Sequence, residues 1–144
     1  MRILYYIIQF TWGLPLNIVG ALVWLVLKIF CRKMHEEKYR NAICIVVAWN
    51  FGGLNLGMFL IRGESCESCC AHEYGHSIQN LWWGPLMPIV ITIPSAIRFW
   101  WIKAYIKWFY PKTRKALSPY TAIWFERQAD VLGLKAETNS WSWL

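Results

Sequence analysis

The polarity of the chain changes in blocks. Residues 3–27 carry no charged side chain, and at 1.5 Å per residue a helix of that length crosses a hydrocarbon core of about 30 Å. The pattern predicts a transmembrane helix over Ile3–Leu27, kinked at Gly13 and Pro15, which membrane helices tolerate where neighbours re-satisfy the backbone. A cleaved leader is the competing reading. It fails because the run is too long, Arg2 alone is a poor basic start, and no small-x-small site precedes the next charges. Residues 28–40 read as a basic linker. From Asn41 to Ile61 charge is again absent, but Asn50, Gly52, Gly53, Asn55 and Gly57 crowd the second half with turn formers. That predicts a short hairpin, Val46–Trp49 against Leu56–Ile61 about Gly52-Gly53, rather than a second span.

A helix follows, capped by Ser65 or Ser68 and stopped near Trp83 by Gly84-Pro85. Ser77–Ile97 is uncharged but interrupted by Pro85, Pro88 and Pro94. It is expected to dip into a membrane and return, or to pack as a broken embedded helix, which requires burial in protein or a wet cavity. In Phe99–Trp108, Lys103 and Lys107 stand four apart among aromatic residues, the pattern of a helix lying in the interface with its lysines reaching for phosphates. The whole reads as a mainly α membrane protein. Residues 1–40 form the membrane helix and linker, and residues 41–144 a membrane-associated core.

Composition fits that picture. A chain of 144 residues makes one domain at most, and this one is 57% hydrophobic with 11 Trp and 7 Tyr. Of 15 Lys and Arg, five fall in Lys28–Arg40 and six in Arg98–Lys115. Both clusters flank apolar segments, as in cytoplasmic loops. A net charge of +7 also suits nucleic acid, but basic residues set among Trp and apolar runs point to anionic lipid instead. A lipid bilayer is therefore the expected partner, and nucleic acid is not.

The candidate chemistry lies in His72-Glu73-Tyr74-Gly75-His76. On a helix, i and i+4 share a face, so both imidazoles can bind one cation, with Glu73 beside them to take a proton from bound water. Fifty residues on, Glu126 and Asp130, the only Asp in the chain, are also four apart. Glu126 can complete the ligand set while Asp130 orients a ligand imidazole through its distal nitrogen. Alone, that second run would read as an ordinary charged helix face. Cys66, Cys69 and Cys70 just before His72 suggest a thiolate metal site, but such a site leaves Glu73 and the second run unexplained. Five cysteines and a cytosol-facing site predict reduced thiols, one of them near the metal, with Cys31 and Cys44 as small apolar filling. His35 is expected to be solvated.

HExxH followed by ExxAD resembles the gluzincin metallopeptidases, and most closely their integral-membrane group of CAAX prenyl proteases and bacterial heat-shock relatives. The likeness covers residues 50–134. It implies one zinc held by His72, His76 and Glu126, with Glu73 as general base and Asp130 as orienter. It also implies hydrolysis of a peptide or membrane-protein substrate, and an edge strand at Leu56–Ile61 that binds extended peptide; an ordinary hairpin is the other reading. Tyr120 is the first candidate to steady the oxyanion, followed by Arg127 and Tyr74. A metal shared by His76 and Glu126 requires an even number of crossings between them. One full span, an outside N-terminus and a site at the cytoplasmic face are therefore expected. Two alternatives stand. A site-two-type intramembrane protease would use Asp130 as third ligand, although Val131-Leu132-Gly133 does not reproduce that family's Leu-Asp-Gly run. A small non-catalytic binding or regulatory membrane protein would carry a vestigial metal site.

Overall fold

The computed structural model describes residues 2–49, 52–113 and 117–138. Helices hold most of them. In order come α1 (Arg2–Phe10), α2 (Leu14–Phe30), β1 (Met34–Tyr39), β2 (Ala42–Val47), β3 (Gly53–Leu56), β4 (Phe59–Gly63), α3 (Cys69–Trp83), α4 (Ile93–Trp108), α5 (Tyr110–Thr113) and α6 (Trp124–Glu137).

The expected single helix over Ile3–Leu27 is two helices bent by 87°. Gly13 precedes α2 and Pro15 lies in its first turn, where a missing N–H breaks no bond. The bend has a second cause that a search for charges overlooks. Gln9 and Asn17 are buried amides, and a straight helix would leave them without partners. Across the bend Asn17 Nδ2 donates to Gln9 O at 2.6 Å, and Gln9 Nε2 reaches Ser77 O of α3 at 3.0 Å. Asn80 Nδ2 of α3 donates to Gln9 Oε1 at 2.8 Å. The N-terminal pair is thus fastened to α3 by a buried polar seam.

The basic linker is also corrected. Its second half is β1, whose exposed Glu36, Glu37 and Lys38 form a charged sheet edge that discourages further pairing. It pairs antiparallel with β2 through a tight turn in which Arg40 has φ 54°. The expected Val46–Trp49/Leu56–Ile61 hairpin does not form. β2 instead runs parallel to β4, and β3 and β4 make the hairpin, giving the order β1-β2-β4-β3. The turn falls at Gly57 because Gly57 takes φ +72°, where a side chain would be strained, and Asn55 brackets it with bonds to Gly57 N and O. β2 is apolar throughout because both its faces are covered. Cys44 and Val46 pack with Tyr5, Tyr74 and Ile78 on one side, while Ile45 and Val47 pack with Leu16, Met87 and Ile91 on the other.

Beyond α3 the break falls at Gly84, with φ 48°. Pro85 lies in the 3-10 turn Gly84–Leu86 that follows, and Pro88 and Pro94 lie within one continuous helix that passes through a π turn at Pro88–Thr92 into α4. Ser77–Ile97 is therefore a broken helix in shape, and Phe99–Trp108 is the second half of α4 rather than a separate element. Pro88–Trp108 is long and apolar enough to cross a membrane, and α4 buries none of its residues. The cysteines depart from expectation as well. Cys66 and Cys69 form a disulfide, and Cys70 Sγ turns away into the core, 2.8 Å from Cys44 Sγ. Among the described residues no thiol joins the candidate metal ligands.

α6 crosses α3 at backbone contact. A Cβ on Gly75 would lie 2.0 Å from Ala129 O, and one on Gly133 would lie 2.0 Å from Ala71 O. Two glycines facing two alanines let these helices approach far closer than larger side chains allow. Gly133→Ala should lower stability by about 1–3 kcal/mol through overpacking. Gly52→Ala, with open space around it, should change it by less than about 0.5 kcal/mol. Thermal unfolding of the two variants compares them directly, and equal melting temperatures would mean the crossing is looser than described.

Candidate metal centre

α3 places His72 and His76 one turn apart on the face that α6 covers, and the first turn of α6 brings Glu126 over them. Three atoms converge. His72 Nε2 is 3.1 Å from His76 Nε2, and Glu126 Oε2 is 3.1 Å from the first and 3.3 Å from the second. The distal nitrogens are engaged elsewhere: His72 Nδ1 lies 2.6 Å from Asp130 Oδ1, and His76 Nδ1 lies 2.7 Å from Gln79 Oε1. A carboxylate and an amide oxygen accept, so each Nδ1 carries its ring's proton. In neutral rings both Nε2 atoms are then bare lone pairs, facing each other and a carboxylate oxygen.

Three acceptors at these separations repel unless something positive sits among them. Ligand bonds of about 2.0–2.1 Å in tetrahedral array place donors roughly 3.3–3.4 Å apart, close to what is found. Without a cation a proton is the substitute. Burial disfavours charge on His72, but Glu126, Glu73 and Asp130 outweigh it and raise its pKa to about 9. Burial would likewise raise Glu126, yet hydrogen bonds from His72 and His76 hold it well below the usual carboxylate range. Glu126 is fully buried, and its Oε1 has no hydrogen-bond partner. His72, His76 and Glu126 form a group that can hold a metal ion. Asp130 stands behind His72, outside that convergence.

Glu73 lies between the histidines and β3, an edge strand of the sheet. Its carboxylate occupies the space a side chain at Gly53 would fill: a Cβ there would stand 2.3 Å from Glu73 Oε1. Asn55 Nδ2 on β3 also donates to Glu73 O at 3.1 Å. The strand beside the site is therefore Gly53–Leu56 and not Leu56–Ile61. Burial raises the pKa of Glu73 against the lowering pull of both histidines. It adjoins the ligands without being one of the three.

Tyr120 comes within electrostatic reach of Glu126 and Glu73. Burial pushes its hydroxyl pKa up, so it remains a protonated donor, and it is hydrogen-bonded to Ser95 of α4. The other two oxyanion candidates are elsewhere. Tyr74 packs into the core between Tyr5 and Tyr39, because position 74 falls on the sheet-facing side of α3. Arg127 is exposed on α6. His35 lies at the surface, 3.1 Å from Glu37. The sequence reading missed Gln79 and Ser95. Gln79 was detectable in principle, since position i+3 from His76 shares its face; Ser95 carried no signal.

Comparison with protein-family models, with curated proteins and with solved structures finds no match to this chain. The geometry alone sets the expectation of one divalent cation per chain after dialysis. Glu126→Gln and His76→Ala should abolish stoichiometric binding, while Asp130→Asn should weaken it by roughly 10–100-fold. Elemental analysis of the purified proteins measures this. If Asp130→Asn lost the metal and Glu126→Gln kept it, the ligand assignment would be wrong.

Proposed function

We propose that this protein is a membrane-bound zinc metallopeptidase of gluzincin type. One observation carries the proposal: two imidazole nitrogens and a buried carboxylate oxygen converge at ligand spacing, with a second buried carboxylate next to them and outside the set. Two nitrogens and one oxygen suit zinc, and three protein ligands rather than four are the mark of a catalytic site. Zinc held there supplies a water acidic enough to ionise near neutral pH and polarises a carbonyl. Glu73 accepts the proton of the attacking water and delivers it to the leaving amine. Its raised pKa suits both transfers. Tyr120, still protonated, donates to the developing oxyanion by turning from Ser95. Asp130 and Gln79 hold the two rings in their tautomers. β3, an open edge beside Glu73, offers backbone groups to an extended substrate.

The membrane part of the proposal rests on the exposed apolar surfaces of α1, α2 and α4, including Ile3, Ile7, Phe30, Ile97, Trp100 and Trp108. Arg98 Nη2 donates to Ser118 O at 3.0 Å and to Ser118 Oγ at 2.6 Å, so the chain returns after α4 to the level of its first turns. That favours a segment that enters the bilayer and comes back over one that crosses. The basic residues around β1 favour the cytoplasmic face for the sheet and site. The Cys66–Cys69 disulfide favours the opposite side, since such bonds persist in oxidising compartments.

With the full chain in detergent micelles and fluorescence-quenched casein as probe, cleavage should be sensitive to chelators. Glu73→Gln should keep its zinc and lose about 10²–10⁴-fold in rate. Wild-type cleavage by that variant would sink the mechanism, and zinc-loaded wild type without any cleavage would favour the non-catalytic alternative. In variants retaining only Cys31 or only Cys66, both thiols should resist an impermeant reagent added to intact cells. Labelling of Cys66 from outside would move the site to the oxidising side.

A further inference from the structure

Gln79 is fully buried and touches three groups, and its hydrogen bonds can be arranged in only one way. Nε2 lies 2.8 Å from Phe125 O and 2.9 Å from Gln128 Oε1. A backbone carbonyl accepts and never donates, so the amide must present its NH₂ toward Phe125 and its oxygen toward His76. Reversing the amide would set two oxygens against each other and an N–H₂ against the ring nitrogen of His76. The backbone of α6 therefore dictates which nitrogen of His76 is protonated. Phe125 immediately precedes Glu126, so the same amide that orients one ligand also holds the turn that supplies another.

We infer that Gln79 is the positioning residue of the metal centre, coupling the tautomer of His76 to the placement of Glu126 across the α3–α6 crossing. The assignment rests on the metal-centre reading and deepens it. Charge explains why the partner here is an amide when the partner of His72 is a carboxylate. Asp130 is exposed, and solvent spreads its charge. Position 79 is fully buried beside the turn that carries Glu126, and the charges of Glu126 and Glu73 would already balance a divalent cation held there. A third buried negative charge would go uncompensated. A neutral acceptor orients His76 without adding one.

Two substitutions separate orientation from helix gluing. Gln79→Met removes the acceptor toward His76 together with both donors toward α6. Gln79→Glu keeps the acceptor and loses the donors, and Gln128, only partly buried, can turn its own NH₂ toward the new carboxylate. Both variants should melt below wild type as metal-free proteins, because both lose the bond to Phe125 O. Their zinc affinities should part. Competition with a chromophoric chelator should show Gln79→Met weakened by about 10–100-fold and Gln79→Glu weakened by less, because it keeps the acceptor toward His76 while losing the hold on Phe125. Cobalt-loaded Gln79→Glu should keep the wild-type visible absorption, and cobalt-loaded Gln79→Met should lose it. Equal zinc affinity in Gln79→Met and wild type would overturn the assignment, as would equal losses in the two variants. If wild type itself held no zinc, the metal-centre reading would fall and this assignment with it.

Discussion

The structure depends on how closely two helices touch. α3 carries both imidazoles and α6 carries the carboxylate of the convergent group, and how nearly they meet is set by the crossing of the two helices. Gly75 and Gly133 make that crossing close, each lying against backbone of the opposite helix at Ala129 and Ala71. Gly75 falls inside the histidine pair itself, so one short run supplies both the ligands and the contact that completes them. Glu126 is fully buried as a consequence. A carboxylate so placed is tolerable only because two rings point at it, and the rings are tolerable so close together only with positive charge between them.

A second consequence is that the core of this apolar chain is unusually polar on one side of α3. Gln9, Asn17, Ser77 and Asn80 are buried there, behind the helix face that holds the ligands. Their mutual hydrogen bonds give α3 two fixed neighbours, α6 in front and the bent N-terminal pair behind. Asn17 extends the seam to the sheet through Met58 N at 2.6 Å. A helix held on both sides by directional bonds cannot rotate about its axis, which is what a pair of ligands one turn apart requires. The apolar clusters supply the cohesion; the polar seam supplies the register.

What could be read beforehand follows the range of the interactions involved. The spacing of His72 and His76 and the limits of α3 were legible because the i, i+4 relation and the Gly84-Pro85 stop are local, and the approach of Glu126 to form a group that can hold a metal ion was legible only from its pairing with that run. The bend of α1 and α2 was half legible. Gly13 and Pro15 announce a kink, but its size depends on Gln9 and Asn17 finding partners more than forty residues away, at Met58, Ser77 and Asn80. Strand order was not legible: the turn-former cluster after Asn41 admits several pairings, and Gly57 won over Gly52-Gly53 because Asn17 and Asn55 hold it. β1 was hidden by its charge, since an edge strand needs no apolar alternation. The prolines misled because only Gly84 breaks the backbone, while Pro88 and Pro94 are accommodated within one continuous helix.

α4 has the weakest attachment of any long element described, and the form of that attachment bears on the site. None of its residues is buried, and its polar links among the described residues include Ser95 to Tyr120 and to Glu126, and Arg98 to Ser118 and Pro119. These links end on Glu126 or on the short segment that leads into it. A displacement of α4 would act on Tyr120 and Ser118 and, through Ser95, on Glu126 as well. Glu126 has a further hold from the other side, because Gln79 grips the preceding Phe125 from α3. Tyr120 is held by Ser95 and by the ring of Phe99, both of α4, and interacts with Glu126. Tyr120 and Ser95 thus tie α4 to the Glu126 side of the centre, while the two imidazoles answer to the α3–α6 crossing.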